Sequence, residues 1–314
     1  MTKSAATGGG STRRLLLTYL SGQIDELRSR EAGARIDSPD AVHRMRVASR
    51  RLRSSLATFR PLFRGSKAQR LRDELQWLGT VLGPVRDVEV MRAHLHETVA
   101  DLVGGEDLAA VLAQLDRELA ERHSGAQAEM NTAMDGPRYA ALLAALEGFV
   151  TTPPWARQAP KVATRLTVPA LVGRACERVD RAALAARAAR TGLVAQVVSG
   201  DEGAPEAGGV ELHEVRKAAK RARYAAEVAS SSGPAARALA ERMEELQAVL
   251  GRHQDSLMVR ALIQDLADRV TKRQALALDL LIGAEQADDG SFLAAYDQAL
   301  AAASTNDVRG WTRR

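Results

Sequence analysis

The chain has 314 residues, 46% hydrophobic and 26% charged, which is ordinary for a folded soluble protein and excludes collagen-like, low-complexity and disulfide-scaffold classes. Its net charge of +5 and pI near 9.6 are modest, so where the cations cluster matters more than their total. A single cysteine, Cys176, excludes a disulfide within the chain and suits a reducing compartment. The opening MTKSAATGGGSTRR lacks a signal-peptide core, and no run of about 18 apolar residues exists, so a cytoplasmic protein is expected.

Residues 1–11, rich in Gly, Ser, Thr and Ala, read as disordered. Thr12 to Gly33 reads as a helix with Leu16, Leu20, Ile24 and Leu27 on one face. Ser38-Pro39-Asp40 is a helix-start signal, with Ser able to cap and Pro suited to the first helical position, so a second helix is predicted from Pro39 to Arg60. Lys67 to Leu82 is a third, ended by Gly83-Pro84, and Val85 to Val103 a fourth. Leu108–Met130 and Tyr139–Val150 complete a first half. Residues 151–160 hold three prolines and no periodicity, and read as a linker. Val168–Thr191, a loop at 199–209, a second basic helix, Ala235–Leu250, Asp255–Val270, Lys272–Ile282 and Ser291–Ala302 follow, with a basic tail at 304–314. Nowhere does a convincing period-2 pattern appear. The expected fold is all-α: two tandem bundles of antiparallel helices, 12–150 and 161–303, the second a duplicate of the first.

The stretch around which this reading turns is VHRMRVASRRLRSSLATF, residues 42–59; from Ala41 to Arg72 there are ten Lys and Arg residues and no Asp or Glu. At about 100° per residue, Val42, Met45, Ser49, Leu52, Leu56 and Phe59 fall in a core stripe. His43, Arg46, Arg50 and Arg53 form a second stripe on its flank, while Arg44 and Arg51 point away from both. About 170 residues later LHEVRKAAKRARYAAEV repeats the geometry. There Leu212, Val215, Ala219, Ala222 and Ala226 are core. His213, Arg216, Lys220 and Arg223 are the basic stripe, with Lys217 at its edge and Arg221 the outlier. Downstream, LGPVRD at 82–87 matches LGRHQD at 250–255, and the His-to-Asp interval is 44 residues in one copy and 42 in the other. Two matched motifs in one order point to an internal duplication.

The pattern H-x-x-R-x-x-x-(R/K)-(R/K)-x-R followed by L-G-x-x-x-D, present twice, resembles the CHAD family, the conserved-histidine α-helical domains. The resemblance covers roughly Ser11 to Ala303, and His253-Gln254 departs from it where the first copy has Val85-Arg86. It implies two related helical bundles around a basic central channel that binds inorganic polyphosphate. Carried onto this chain, the ligand residues are His43, Arg46, Arg50, Arg53, His213, Arg216, Lys217, Lys220 and Arg223, with Arg44, Arg51 and Arg221 as secondary candidates. Storage granules and a polyphosphate-metabolising protein partner are what such a module would serve.

A basic stripe on one helix is ordinarily a solvated face. Here like charges recur at i and i+4, which disfavours a helix by about 0.2–0.5 kcal/mol per pair, and a bound anion would offset that. The histidines, set among arginines and without carboxylates, suit phosphate better than a metal. His94-x-His96 is a weak metal signal, because i and i+2 diverge on a helix. Asp87 and Asp255 fit capping or pairing with an Arg. No P-loop, dinucleotide fingerprint, nucleophile elbow or alternating E-x-E-x-K strand is present, so neither a cofactor nor catalysis is expected. The rival readings are a nucleic-acid binder and a helical adaptor for an acidic partner. Aromatics, which single-strand binders interleave with cations, make up only 4%, and Tyr224 is the one ring near either basic stripe.

Overall fold

The computed structural model describes residues 7–100, 102, 105–157, 167–198, 209–267, 271–287 and 289–313. The described residues are almost entirely helical, and their only β pairing is an isolated bridge between Phe63 and Trp155. Among the described residues eleven α-helices follow one another: α1 Thr7–Arg35, α2 Ala41–Thr58, α3 Lys67–Ala100, α4 Glu106–Asp135, α5 Pro137–Thr151, α6 Val168–Val198, α7 Gly209–Val228, α8 Pro234–Ala267, α9 Lys272–Ala287, α10 Asp289–Ala302 and α11 Asn306–Arg309. The all-α expectation therefore holds.

Every member of the two predicted core stripes is buried, from Val42 to Phe59 on α2 and from Leu212 to Ala226 on α7. Ser49, the one polar member, donates its hydroxyl to the Leu75 carbonyl of α3 at 3.2 Å. The core is continuous across residues 151–160: one apolar cluster takes in Leu16, Leu52 and Leu75 together with Val172, Val215 and Leu246. A second, smaller cluster joins the far ends of α3 and α8 to α4 and α9, with Val88, Leu95, Leu115, Val259, Ile263 and Leu281. Burying each such aliphatic side chain contributes about 1.5–3 kcal/mol, and both clusters draw on both halves of the chain.

Several boundaries differ from the sequence reading. Gly83-Pro84 does not end a helix; α3 runs unbroken through Pro84, and α8 likewise runs through Gly251. The reason is tertiary. Up to Val85, α3 packs in the main core, and from Val88 it packs in the second, so the helix is held on both sides of the proline and the lost backbone hydrogen bond is outweighed. Helix α2 starts at Ala41, and its N-cap is Asp40 in a left-handed conformation (φ 61°) with no side-chain capping bond; Ser38 supplies its carbonyl to Ala41 N–H instead.

Residues 7–11 belong to α1 rather than to a disordered terminus, while residues 1–6 lie outside the described residues, as do most of the 199–209 loop and positions 158–160 of the expected linker. The described part of that linker is pinned. Trp155 stacks on Phe63 with ring centroids 5.1 Å apart, Arg13 lies over Trp155, and Ala156 N–H reaches the Leu62 carbonyl. The basic tail is also folded. Arg309 is buried, donating to the Ala303 carbonyl at 2.6 Å and to Asp180 of α6 at 2.6 Å. A Cβ on Gly173 would sit 3.1 Å from the Thr312 carbonyl, so glycine lets this tail lie against α6.

Candidate functional site

Helices α2 and α7 pack against each other, which brings the two basic flanks together. Arg50 occupies the middle: it faces His43 and Arg53 on its own helix and Arg216 and Lys220 on α7. Lys220 in turn faces Arg216, Arg50 and Arg46. The Nε atoms of Arg50 and Arg216 are buried with no hydrogen-bond partner. Among the described residues Arg50, Arg216 and Lys220 make no ion pair within 4 Å, so the centre of the site is a half-buried concentration of cations.

The motif arginine lies against the L-G-x-x-x-D segment in both halves, with different contacts. Arg46 donates through Nη1 to the Gly83 carbonyl at 2.7 Å and to Asp87 at 2.8 Å. Arg216 lies over Gly251, where a Cβ would meet its Nη2 at 3.4 Å, and its nearest acid is Asp255. The L-G-x-x-x-D segment is thus the seat of the motif arginine, and Asp87 and Asp255 are its countercharges rather than helix caps.

The electrostatics follow from this crowding. Burial, then Arg216, Arg50 and Arg46, push the Lys220 ammonium down from 10.5 to about 6. Burial, then Arg86 and Arg50, hold the His43 imidazole below its ordinary 6.5. Arg216 is lowered by burial, against the pull of Asp255, and Asp255 is itself raised by burial. Arg53 is lowered by burial and by Arg50 and Arg72. A site that disfavours its own positive charge is one that a negative ligand relieves.

Other candidate residues are placed differently. Arg51, expected to point away from the core, is half-buried and reaches Glu227 at 2.9 Å; Arg223, expected in the basic stripe, is held by the same Glu227 at 2.9 Å and by Glu244 at 2.9 Å. Tyr19 donates its hydroxyl to Glu227 at 2.5 Å, which closes a network of α1, α2 and α7. The basic stripe expected on the second helix is therefore partly neutralised, with Arg223 paired to two acids. His213 is exposed, Lys217 is exposed and bonded to Glu214, and Arg44 is exposed with Glu26 3.7 Å away. Arg221 is half-buried and faces Arg53 together with Arg72 of α3 and Arg178 of α6, neither of which the motif pattern identifies. Arg72 did belong to the acid-free run of ten cations, and that was its only signal.

Beside the centre, a cavity of about 730 Å³ opens between α1, α2, α7 and α8; His43, Arg44 and Arg50 line it, with Gln23, Glu26 and Glu244 around them. The two histidines of the weak metal signal have separate partners: His94 is 2.9 Å from Glu285, and His96 is 3.1 Å from Asp116. Asp37, Glu89 and His123 bring donor atoms within 4.8 Å of one another, but Arg86 already donates to Glu89 at 2.8 Å and balances that cluster.

The family model of the CHAD domain matches residues 18–264. The chain belongs to the CHAD family. Its relatives include the uncharacterized proteins MT2285 and Rv2226 of two Mycobacterium tuberculosis strains, each 30% identical over 245 residues. That alignment takes in 77% of this chain but 43% of each relative, so the chain spans less than half the length of the curated proteins it matches. Among solved structures, PptA from Streptomyces chartreusis superposes with a TM-score of 0.69 at 21% identity, covering 92% of this chain and 98% of that one. The CHAD domain of the plant Ricinus communis gives a TM-score of 0.63 at 24% identity, covering 93% and 91%. At these identities the structures show the CHAD fold alone.

Proposed function

We propose that the chain binds linear inorganic polyphosphate, without catalysis, on the facing basic flanks of α2 and α7. The observation that carries this reading is the centre formed by Arg46, Arg50, Arg216 and Lys220, four basic side chains from two helices, of which Arg46 pairs with Asp87 and Arg216 is drawn by Asp255. A chain of phosphates supplies about one negative charge per unit and offers oxygens to the forked guanidinia, with Lys220 as a point charge. His43 adds one N–H when neutral and a second once protonated beside the anion. The CHAD family is associated in general with polyphosphate binding, which agrees with this ligand class. Cytoplasmic residence, at polyphosphate granules, is part of the same proposal. No described helix is long and apolar enough to cross a membrane.

Tyr224 favours polyphosphate over nucleic acid. It is the one Phe, Tyr or Trp ring on α2 or α7, and it is buried between Arg51 and Arg223 with 2% of its surface exposed, so it offers no face for a base to stack on. The test is a competition titration of long-chain polyphosphate against a single-stranded oligonucleotide at near-physiological salt, with the Arg50→Ala/Lys220→Ala double variant alongside. Polyphosphate is expected to bind far more tightly than the oligonucleotide and to be lost from the double variant. Equal binding of both polymers, or wild-type binding by the variant, overturns the reading.

A further inference from the structure

The two flanks of the basic centre are not equivalent. Aligning His213 with His43 sets Arg221 against Arg51, Arg223 against Arg53 and Glu227 against Ala57. On one flank Glu227 takes both Arg51 and Arg223, and Glu244 takes Arg223 as well. On the other flank the counterparts Arg53 and Arg221 have Ala57 where Glu227 would stand. Aligning the two Leu-Gly segments puts Gln76 where Glu244 would stand. Two further cations occupy that flank instead: Arg221 faces Arg178 of α6, Arg72 of α3 and Arg53 of α2. Four helices thus deliver four half-buried guanidinia to one place. Arg72 donates to Gln69 at 2.7 Å and keeps its Nε buried without a partner. Arg53, Arg178 and Arg221 make no hydrogen bond or ion pair among the described residues. The acid nearest Arg221 is Glu214, which is already bonded to Lys217.

We infer that Arg53, Arg72, Arg178 and Arg221 form a second oxyanion subsite, which carries the phosphate chain out of the central cluster along this one flank. The inference rests on the polyphosphate reading above and adds a direction to it. Arg50 faces both Arg53 and Lys220 and so joins the subsite to the centre. The opposite flank opens into the cavity beside Arg50, but there Arg51 and Arg223 are neutralised by Glu227 and Glu244, whose carboxylates repel phosphate. A chain held at Arg50 and Lys220 therefore leaves toward α3 and α6 and not past Glu227.

Restoring the missing acid tests this directly. In Ala57→Glu the new carboxylate stands where it can pair with Arg221 and Arg53, as Glu227 pairs with Arg51 and Arg223. Affinity for long-chain polyphosphate is expected to fall at least tenfold, and the salt dependence to flatten, by about 0.7 in log–log slope for each phosphate that is no longer neutralised. Thermal stability is expected to hold or rise, because like charges have gained a partner. Arg72→Ala/Arg178→Ala, which removes two cations without adding a group, is expected to show the same weakening and the same flattening. Wild-type affinity and slope in both variants overturn the subsite while leaving the central cluster standing. Failure of the wild-type protein to bind polyphosphate overturns the functional reading itself.

Discussion

Lys220 is the residue whose chemistry is most altered by the fold. Burial and three arginines push its ammonium down to about 6, so near neutral pH the folded protein holds it largely unprotonated while an unfolded lysine is charged. The unfolded state therefore binds more protons between about pH 6 and the ordinary lysine value, and this group makes stability rise with pH across that window. Polyphosphate binding acts in the opposite sense. An anion beside Lys220 restores its proton, so binding near pH 7.5 should take up protons and affinity should fall as pH rises above about 6. His43, held below its ordinary value by burial, Arg86 and Arg50, adds to the same trend on the acid side. Calorimetric titration in buffers of different ionisation enthalpy is expected to show net proton uptake, and in Lys220→Arg the uptake should shrink. A buffer-independent heat would sink this account.

Glu227 shows what the sequence concealed at this scale. Its pattern position says only that an acid sits near the end of the second basic helix, yet it is the countercharge of Arg51 and Arg223 and the acceptor of Tyr19. Glu227→Ala is expected to cost about 3 kcal/mol, because it leaves the partly buried Arg51 uncompensated, Arg223 with Glu244 as its remaining partner, and the Tyr19 hydroxyl without its acceptor. Chemical denaturation measures this, and a loss under 1 kcal/mol would mean the network is dispensable. Such convergence is not legible from one helix at a time. The stripe on each helix follows from the 3.6 period, but Arg72 and Arg178 are single cations on two other helices, and only packing puts them beside Arg53 and Arg221.

At the scale of elements, helix type and face were legible and helix ends were not. The core stripes of α2 and α7 were readable because apolar periodicity over five turns has few alternatives. Gly83-Pro84 was a local stop signal overridden by long-range packing, since α3 is clamped by one core before the proline and by the other after it. The tail escapes a local reading for the complementary reason. Its residues are polar and basic, and nothing local reveals that Arg309 finds Asp180 or that Gly173 leaves room for Thr312. This gives the tail a job that can be measured. Cys176 lies on α6, 3% exposed, with its thiol pushed up to about 11, mainly by burial. In the intact protein it should resist alkylation at neutral pH. Removing residues 304–314, or substituting Arg309→Ala, is expected to speed its modification by a thiol reagent at least tenfold and to lower the melting temperature. Unchanged Cys176 reactivity after truncation would show that the tail is not part of the cover.

For the whole molecule, the question is whether a ligand at the centre can be felt everywhere. Both apolar clusters combine side chains from before and after residues 151–160, so neither half holds a complete core of its own. Cooperative unfolding in one transition is expected. The basic centre lies at the seam between the halves and opposes their association, because Arg46 and Arg50 on one side face Arg216 on the other. Screening by inert salt should relieve that repulsion and raise the melting temperature slightly. Polyphosphate should raise it further: a ligand at a hundred times its dissociation constant adds about 2.7 kcal/mol, which for a chain of this size is on the order of 4 °C. The two effects are separable, since salt that stabilises the free protein weakens a polyanion complex. A thermal-shift series in rising salt, with and without polyphosphate, should therefore show the two curves converging. Because the seam joins both cores, far-UV and near-UV signals should move together in every sample. If heating gave two transitions and polyphosphate moved only one, the halves would be independent bodies and the anion would be held by one of them rather than between them.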